Sequence, residues 1–104
     1  MTTITLLSCL FLGLCRRFMN EHHNCLTAET FATLELIQAI DGLTIGDIDA
    51  MRAHIKRVID LDNRIAEMTC EAAECCRNAD YEGWFACDEQ RAAYRRELKQ
   101  LLFG

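Results

Sequence analysis

The chain contains no proline and only five glycines in 104 residues. Proline stops helices and glycine supplies left-handed turns, so their scarcity leaves few places for the backbone to break. There is no excess of positive charge. The net charge is −5, which disfavours a general nucleic-acid binder, because such proteins need a basic footprint. No glycine-rich phosphate loop, Gly-x-Ser-x-Gly elbow, His-Glu-x-x-His helix or Cys-x-x-Cys pair occurs. The common motifs of nucleotide, hydrolytic, metalloprotease and disulfide chemistry are therefore missing. An enzyme is not expected, and no cofactor is called for.

A membrane-spanning run is missing too. The longest apolar stretch, ITLLSCLFLGLC at residues 4–15, falls short of the roughly 20 residues a span requires. No Lys or Arg precedes it, and Arg16 and Arg17 follow it, the wrong order for a secretory signal. Leu6-Leu7-Ser8-Cys9 looks like a lipoprotein cleavage box, but nothing before it could serve as an apolar core. The expectation is a cytoplasmic protein whose cysteines are free thiols. Met19 is a second candidate start.

What is present points to one all-helical domain spanning residues 1–104. Apolar residues make up 51% of the chain, and Ala, Leu, Glu and Arg favour helix. Four helices are predicted, over about 3–19, 28–41, 45–78 and 84–103. The first is apolar nearly all round, as a centrally buried helix would be. Thr27 is the predicted cap of the second, whose stripe is Phe31, Leu34, Ile37 and Ile40 with Leu36 beside it. Gly42 suits a left-handed position after that helix. Thr44 and Asp47 form a capping box before the third.

The third helix carries two apolar stripes. Ile48, Met51, Ile55 and Val58 form the first; Leu61, Ile65, Met68, Ala72, Cys75 and Ala79 form the second. A three-residue step between them turns the second by about 95°. The two halves are expected to face different partners. The last helix has a stripe of Trp84, Cys87, Arg91, Tyr94, Leu98 and Leu101. Folding it back about residues 78–83 brings Leu61 to Leu101, Ile65 to Leu98, Met68 to Tyr94, Ala72 to Arg91, Cys75 to Cys87 and Ala79 to Trp84. A single turn position supplies all six pairs, which is the mark of an antiparallel αα-hairpin. Arg91 is expected to lay its stem on Ala72 and send its head to solvent.

Seven cysteines raise the question of metal or redox chemistry. Cys70 and Cys75 lie about 140° apart on a helix, and the neighbours Cys75 and Cys76 diverge by about 100°, so neither pair chelates. His22, His23 and Cys25 on the first connection make the better half-site, with Cys9 or Cys15 as further ligands. Metal binding is the weaker reading, against histidines in a solvated loop. The predicted seam allows a Cys75–Cys87 disulfide, with Cys76 as an alternative partner. Two small apolar thiols meeting in a seam is the favoured reading. His54 stands alone on the third helix, and Glu67, Glu71 and Glu74 have no histidine beside them.

The remaining candidate is protein binding. From Asp60 to Glu89 there are nine acidic residues against two basic ones. Phe85 and Phe103 project about 150° from the seam, with Tyr81 near them. Together with Asp80, Glu82, Trp84, Asp88 and Glu89, they outline an aromatic patch in an acidic rim, unless the first helix covers them. Such a patch suits a protein partner with a basic or apolar docking surface. The alternatives are a homo-oligomeric assembly protein and, behind it, a thiol or zinc switch. In size, charge and texture, as in DEQRAAYRRELKQLL at 88–102, the chain resembles the short acidic proteins of phages and mobile elements. That class includes inhibitors of host defence such as anti-CRISPR proteins. The likeness rests on no motif, and it implies a regulator or inhibitor directed at host machinery.

Overall fold

The computed structural model of the chain describes residues 2–103. It is all-α, with α1 (Thr3–His22), α2 (Cys25–Ala39), α3 (Ile45–Arg77) and α4 (Tyr81–Phe103), and no strand among the described residues. Two compact units divide it, Met1–Ile55 and Lys56–Gly104. The division falls close to the step between the two stripes of α3. Ile48 and Met51 of the first stripe enter the core of the first unit, while the second stripe lies along α4.

In the first unit, the Thr2 hydroxyl caps α1 by accepting the Thr5 N–H at 3.1 Å. The helix ends at His23, which adopts φ 55° and donates its N–H to the Met19 carbonyl at 2.8 Å. The cap of α2 is Asn24, not Thr27. Its side-chain oxygen accepts the Thr27 N–H at 3.1 Å, so the helix starts three residues earlier than expected. Asparagine competes well for this role because its short side chain reaches back to the free N–H groups of the first turn.

The core consists of Leu7, Phe11 and Phe18 from α1, Ala28, Ala32 and Leu36 from α2, and Ile48 and Met51 from α3. Two expectations change here. Only one face of α1 is buried; Leu6, Leu10 and Leu12 are about half exposed. In α2 the buried stripe is Ala28, Ala32 and Leu36, while Leu34 and Ile37 face outward. Small residues spaced four apart on α2 allow the two helices to approach closely, while of the expected stripe Phe31 stacks on Phe18, with centroids 5.5 Å apart, and Ile40 packs at the edge of the core.

The approach to α3 follows the sequence closely. Gly42 takes φ 81°. The Thr44 hydroxyl accepts the Asp47 N–H at 3.1 Å, and the Asp47 carboxylate accepts the Thr44 N–H at 3.0 Å. This reciprocal pair satisfies two donors that the helix itself cannot.

In the second unit, α3 and α4 form the expected hairpin. Leu61 and Ala72 are buried, and Ile65, Met68, Cys75, Cys87, Tyr94 and Leu98 are half-buried. Arg57 pairs with Glu97, and Arg64 donates to the Tyr94 hydroxyl at 3.4 Å. The turn is tighter than expected. Asp80 N–H bonds to the Cys75 carbonyl at 2.8 Å and Ala79 N–H to the Cys76 carbonyl at 3.2 Å, with Ala79 at φ 54°. That is a Schellman closure with alanine in the left-handed position. Ala79 is therefore exposed in the turn and does not join the seam opposite Trp84. Asp80 then caps α4, its carboxylate accepting the Gly83 N–H at 3.0 Å. Gly83 sits inside the first turn of α4, not in the connection.

Candidate functional site

The tip of the hairpin is built by the turn just described. The Asp80 cap starts α4 at Tyr81, and a 100° step per residue then sets Tyr81, Phe85 and Glu89 on the face away from α3, with the half-buried Asp88 on its flank. Tyr81 is 70% exposed and Phe85 62% exposed. Trp84 is half-buried and meets the Phe85 ring edge-on, with centroids 5.1 Å apart. Phe103, at the far end of the same face, is also exposed. Glu82 and Glu89 are exposed beside the rings.

Two acidic residues of this group have structural duties. Asp80 is the helix cap. Asp88 accepts from Arg91 Nη2 at 2.8 Å. Arg91 itself does not send its head to solvent. Its guanidinium turns back to Asp88 and to the Thr69 hydroxyl, 3.4 Å away, and its Nε is buried without a partner. An i, i+3 carboxylate on the same helix captures the fork before solvent can. The free acidic rim thus consists of Glu82 and Glu89.

Beneath the tip lie the thiols. Cys75 and Cys87 are neighbours across the seam, and both are free thiols. Burial pushes the Cys75 thiol up, and the neighbouring Cys87 and Asp80 push it further. The Cys87 thiol also points at a Glu71 carboxylate oxygen, 3.9 Å away. A raised thiol carries little thiolate and attacks slowly. Cys70 and Cys76 are both exposed.

The residues of the first connection are placed individually. His22 stacks on Phe31, with centroids 5.0 Å apart, and on Phe18 at 6.2 Å. His23 occupies the left-handed end of α1, and Cys25 opens α2. Among the described residues, no three His, Cys, Asp or Glu side chains come together as a metal site.

One polar contact gives no sign in the sequence because its members lie 46 residues apart. Ser8, buried on α1, has its hydroxyl 3.2 Å from Nδ1 of His54 on α3. The Ser8 hydroxyl also donates to the Ile4 carbonyl of its own helix at 2.8 Å, and with the Nδ1-protonated tautomer of His54 its oxygen accepts from the ring.

No helix of the described residues is long and apolar enough to cross a membrane. In comparisons with protein families, curated proteins and solved structures, nothing matches this chain.

Proposed function

We propose that this is a non-enzymatic protein that works by binding another protein, as a regulator or inhibitor, through the tip of the α3–α4 hairpin. The observation that carries the reading is the exposure of Tyr81 and Phe85 beside Glu82 and Glu89. Large aromatic side chains lose little conformational entropy on docking and bury much area, which is why they anchor interfaces. The carboxylates around them set the partner's chemistry: an apolar pocket within a basic rim, such as a surface made for nucleic acid. Occupying that surface would block its normal ligand. The acidic span from Asp60 to Glu89 would steer the encounter. A cytoplasmic setting and an origin in phages or mobile elements accord with the chain's texture, and the target would then belong to host machinery.

A photo-crosslinking residue at position 81 or 85 tests the proposal. The reading expects crosslinks to a protein whose contacted peptide is basic. It is wrong if the crosslinks lead only to a second copy of the chain.

A second reading, homo-oligomeric assembly, has its own observation. The outer face of α2 presents Leu26 at 78%, Leu34 at 50% and Ile37 at 48% exposure, with no charged side chain among them. An uncharged apolar stripe can meet its own copy without repulsion. Sedimentation of Leu34→Glu against the unaltered chain separates the two readings, because only assembly through α2 would be lost.

A further inference from the structure

Three sulfur-bearing residues line one hollow on the first unit, and neither the hairpin nor the protein-binding reading uses them. Cys15 and Met19 are one turn apart on α1, and Cys25 is the first residue of α2. Side chains four apart on a helix are neighbours. The chain reversal at His23 and Asn24 returns Cys25 to the same place. Cys25 Sγ lies 3.8 Å from Met19 Sδ. All three residues line one hollow of about 320 Å³, together with Arg16, Asn20 and Glu29.

We infer that Cys15, Met19 and Cys25 form a binding site for a soft monovalent metal ion, Cu(I). The choice of ion follows from the donors. Two thiols and a thioether, with no histidine in the set, are a soft set that suits Cu(I) and poorly serves zinc, which prefers four thiolate, imidazole or carboxylate ligands. The spacing fits as well. Metal–sulfur bonds of about 2.3 Å around a trigonal ion would set the sulfurs about 4.0 Å apart, close to the 3.8 Å between Cys25 and Met19.

Each thiol exchanges its proton for the ion. Two thiolates around Cu(I) leave one net negative charge, and Arg16 at the rim of the hollow can offset it. Cys25 is exposed and Cys15 half-buried, so the ion has an open route in and a partly dry seat.

The test is anaerobic titration of the reduced full chain with Cu(I) against a chromophoric Cu(I) chelator, with X-ray absorption at the copper edge. The unaltered chain should take up one ion with three sulfur neighbours. Cys15→Ser and Cys25→Ser should each abolish that uptake. Met19→Leu should leave two sulfur neighbours and weaken binding by about tenfold or more. Cys75→Ser with Cys87→Ser should bind as the unaltered chain does. Should the cysteine variants lose their helical circular dichroism, Met19→Leu decides, since Met19 lies at the surface. Unchanged affinity and three sulfurs in Met19→Leu would overturn the site. So would loss of uptake in the Cys75/Cys87 variant alone. Tighter uptake of Zn²⁺ than of Cu(I) through the same residues would overturn the choice of ion.

Discussion

Gly83 of α4 faces Cys75 of α3 so closely that a Cβ on it would stand 2.9 Å from the Cys75 sulfur. The same Cβ would come within 2.9 Å of the Asp80 side-chain carbon. Gly83 therefore serves the close approach of the two helices at their shared end, where a turn position would have asked only for a left-handed backbone. Gly83→Ala gains helix propensity but displaces the cap and the thiol. The net expectation is a loss of about 1 kcal/mol, measured by urea unfolding. Cys75→Ala should recover part of it, whereas an ordinary exposed helical glycine would give a gain in the Gly83→Ala variant alone.

Ala79 offers the opposite case. It holds φ 54°, a conformation in which an L side chain costs about 1–2 kcal/mol and glycine almost nothing. Ala79→Gly should stabilise the second unit by about 0.5–1 kcal/mol, after the extra freedom of glycine in the unfolded chain is counted. A destabilised variant would mean that the turn does not close in the left-handed conformation.

These two residues show how far the sequence could be read. NADYEG contains one glycine, and the sequence reading places all six residues, 78–83, in the connection. The chain instead breaks at an alanine, because Asp80 three residues before Gly83 is a strong helix cap and starts α4 early. The seam itself was legible: its apolar residues recur at helical spacing, and Cys75 does meet Cys87. The inner face of α2 was not. Hydrophobicity marks Leu34 and Ile37 as core, while the face of α2 that enters the core carries Ala28, Ala32 and Leu36. Size complementarity between two helices is a property of the pair, which neither stripe carries alone. The aromatic tip followed from angular position on α4, but the internal duties of Asp80 and Asp88 depended on the turn.

The seam should be sensitive where it is fully enclosed. Leu61 is 0% exposed and Ile59, two residues before it, is 53% exposed. Leu61→Ala should lower stability by about 2–5 kcal/mol, and Ile59→Ala by no more than about 0.5 kcal/mol. Equal effects in chemical unfolding would contradict the placement of the buried stripe.

The capping box before α3 gives a dependence on acid. The Thr44 N–H and hydroxyl hold the Asp47 carboxyl below its ordinary value. A carboxyl depressed in the folded state adds stability above its unfolded pKa, about 3.9. That stability is lost as pH falls through the folded value. Stability measured from pH 6 down to pH 2 should therefore fall less steeply in Asp47→Asn than in the unaltered chain. Thr44→Ala should cost about 1 kcal/mol at neutral pH.

The choice of residues for testing the tip follows from Asp88. Because it holds the Arg91 guanidinium, reversing its charge would disturb the hairpin as well as the surface. Glu89 is exposed and belongs to no ion pair of the described residues, so it can be reversed with the fold intact. Phe85→Ala with Glu89→Lys should keep the helical circular dichroism and unfold within about 0.5 kcal/mol of the unaltered chain.

The most direct test of binding through the tip is the affinity of the crosslinked partner, once purified, for the unaltered chain and for Phe85→Ala/Glu89→Lys, at 50 and 300 mM salt. Losing an aromatic anchor should weaken binding by about 2 kcal/mol or more. Affinity for the unaltered chain should also fall as salt screens the acidic rim. An affinity unchanged by the double substitution and by salt would contradict the account.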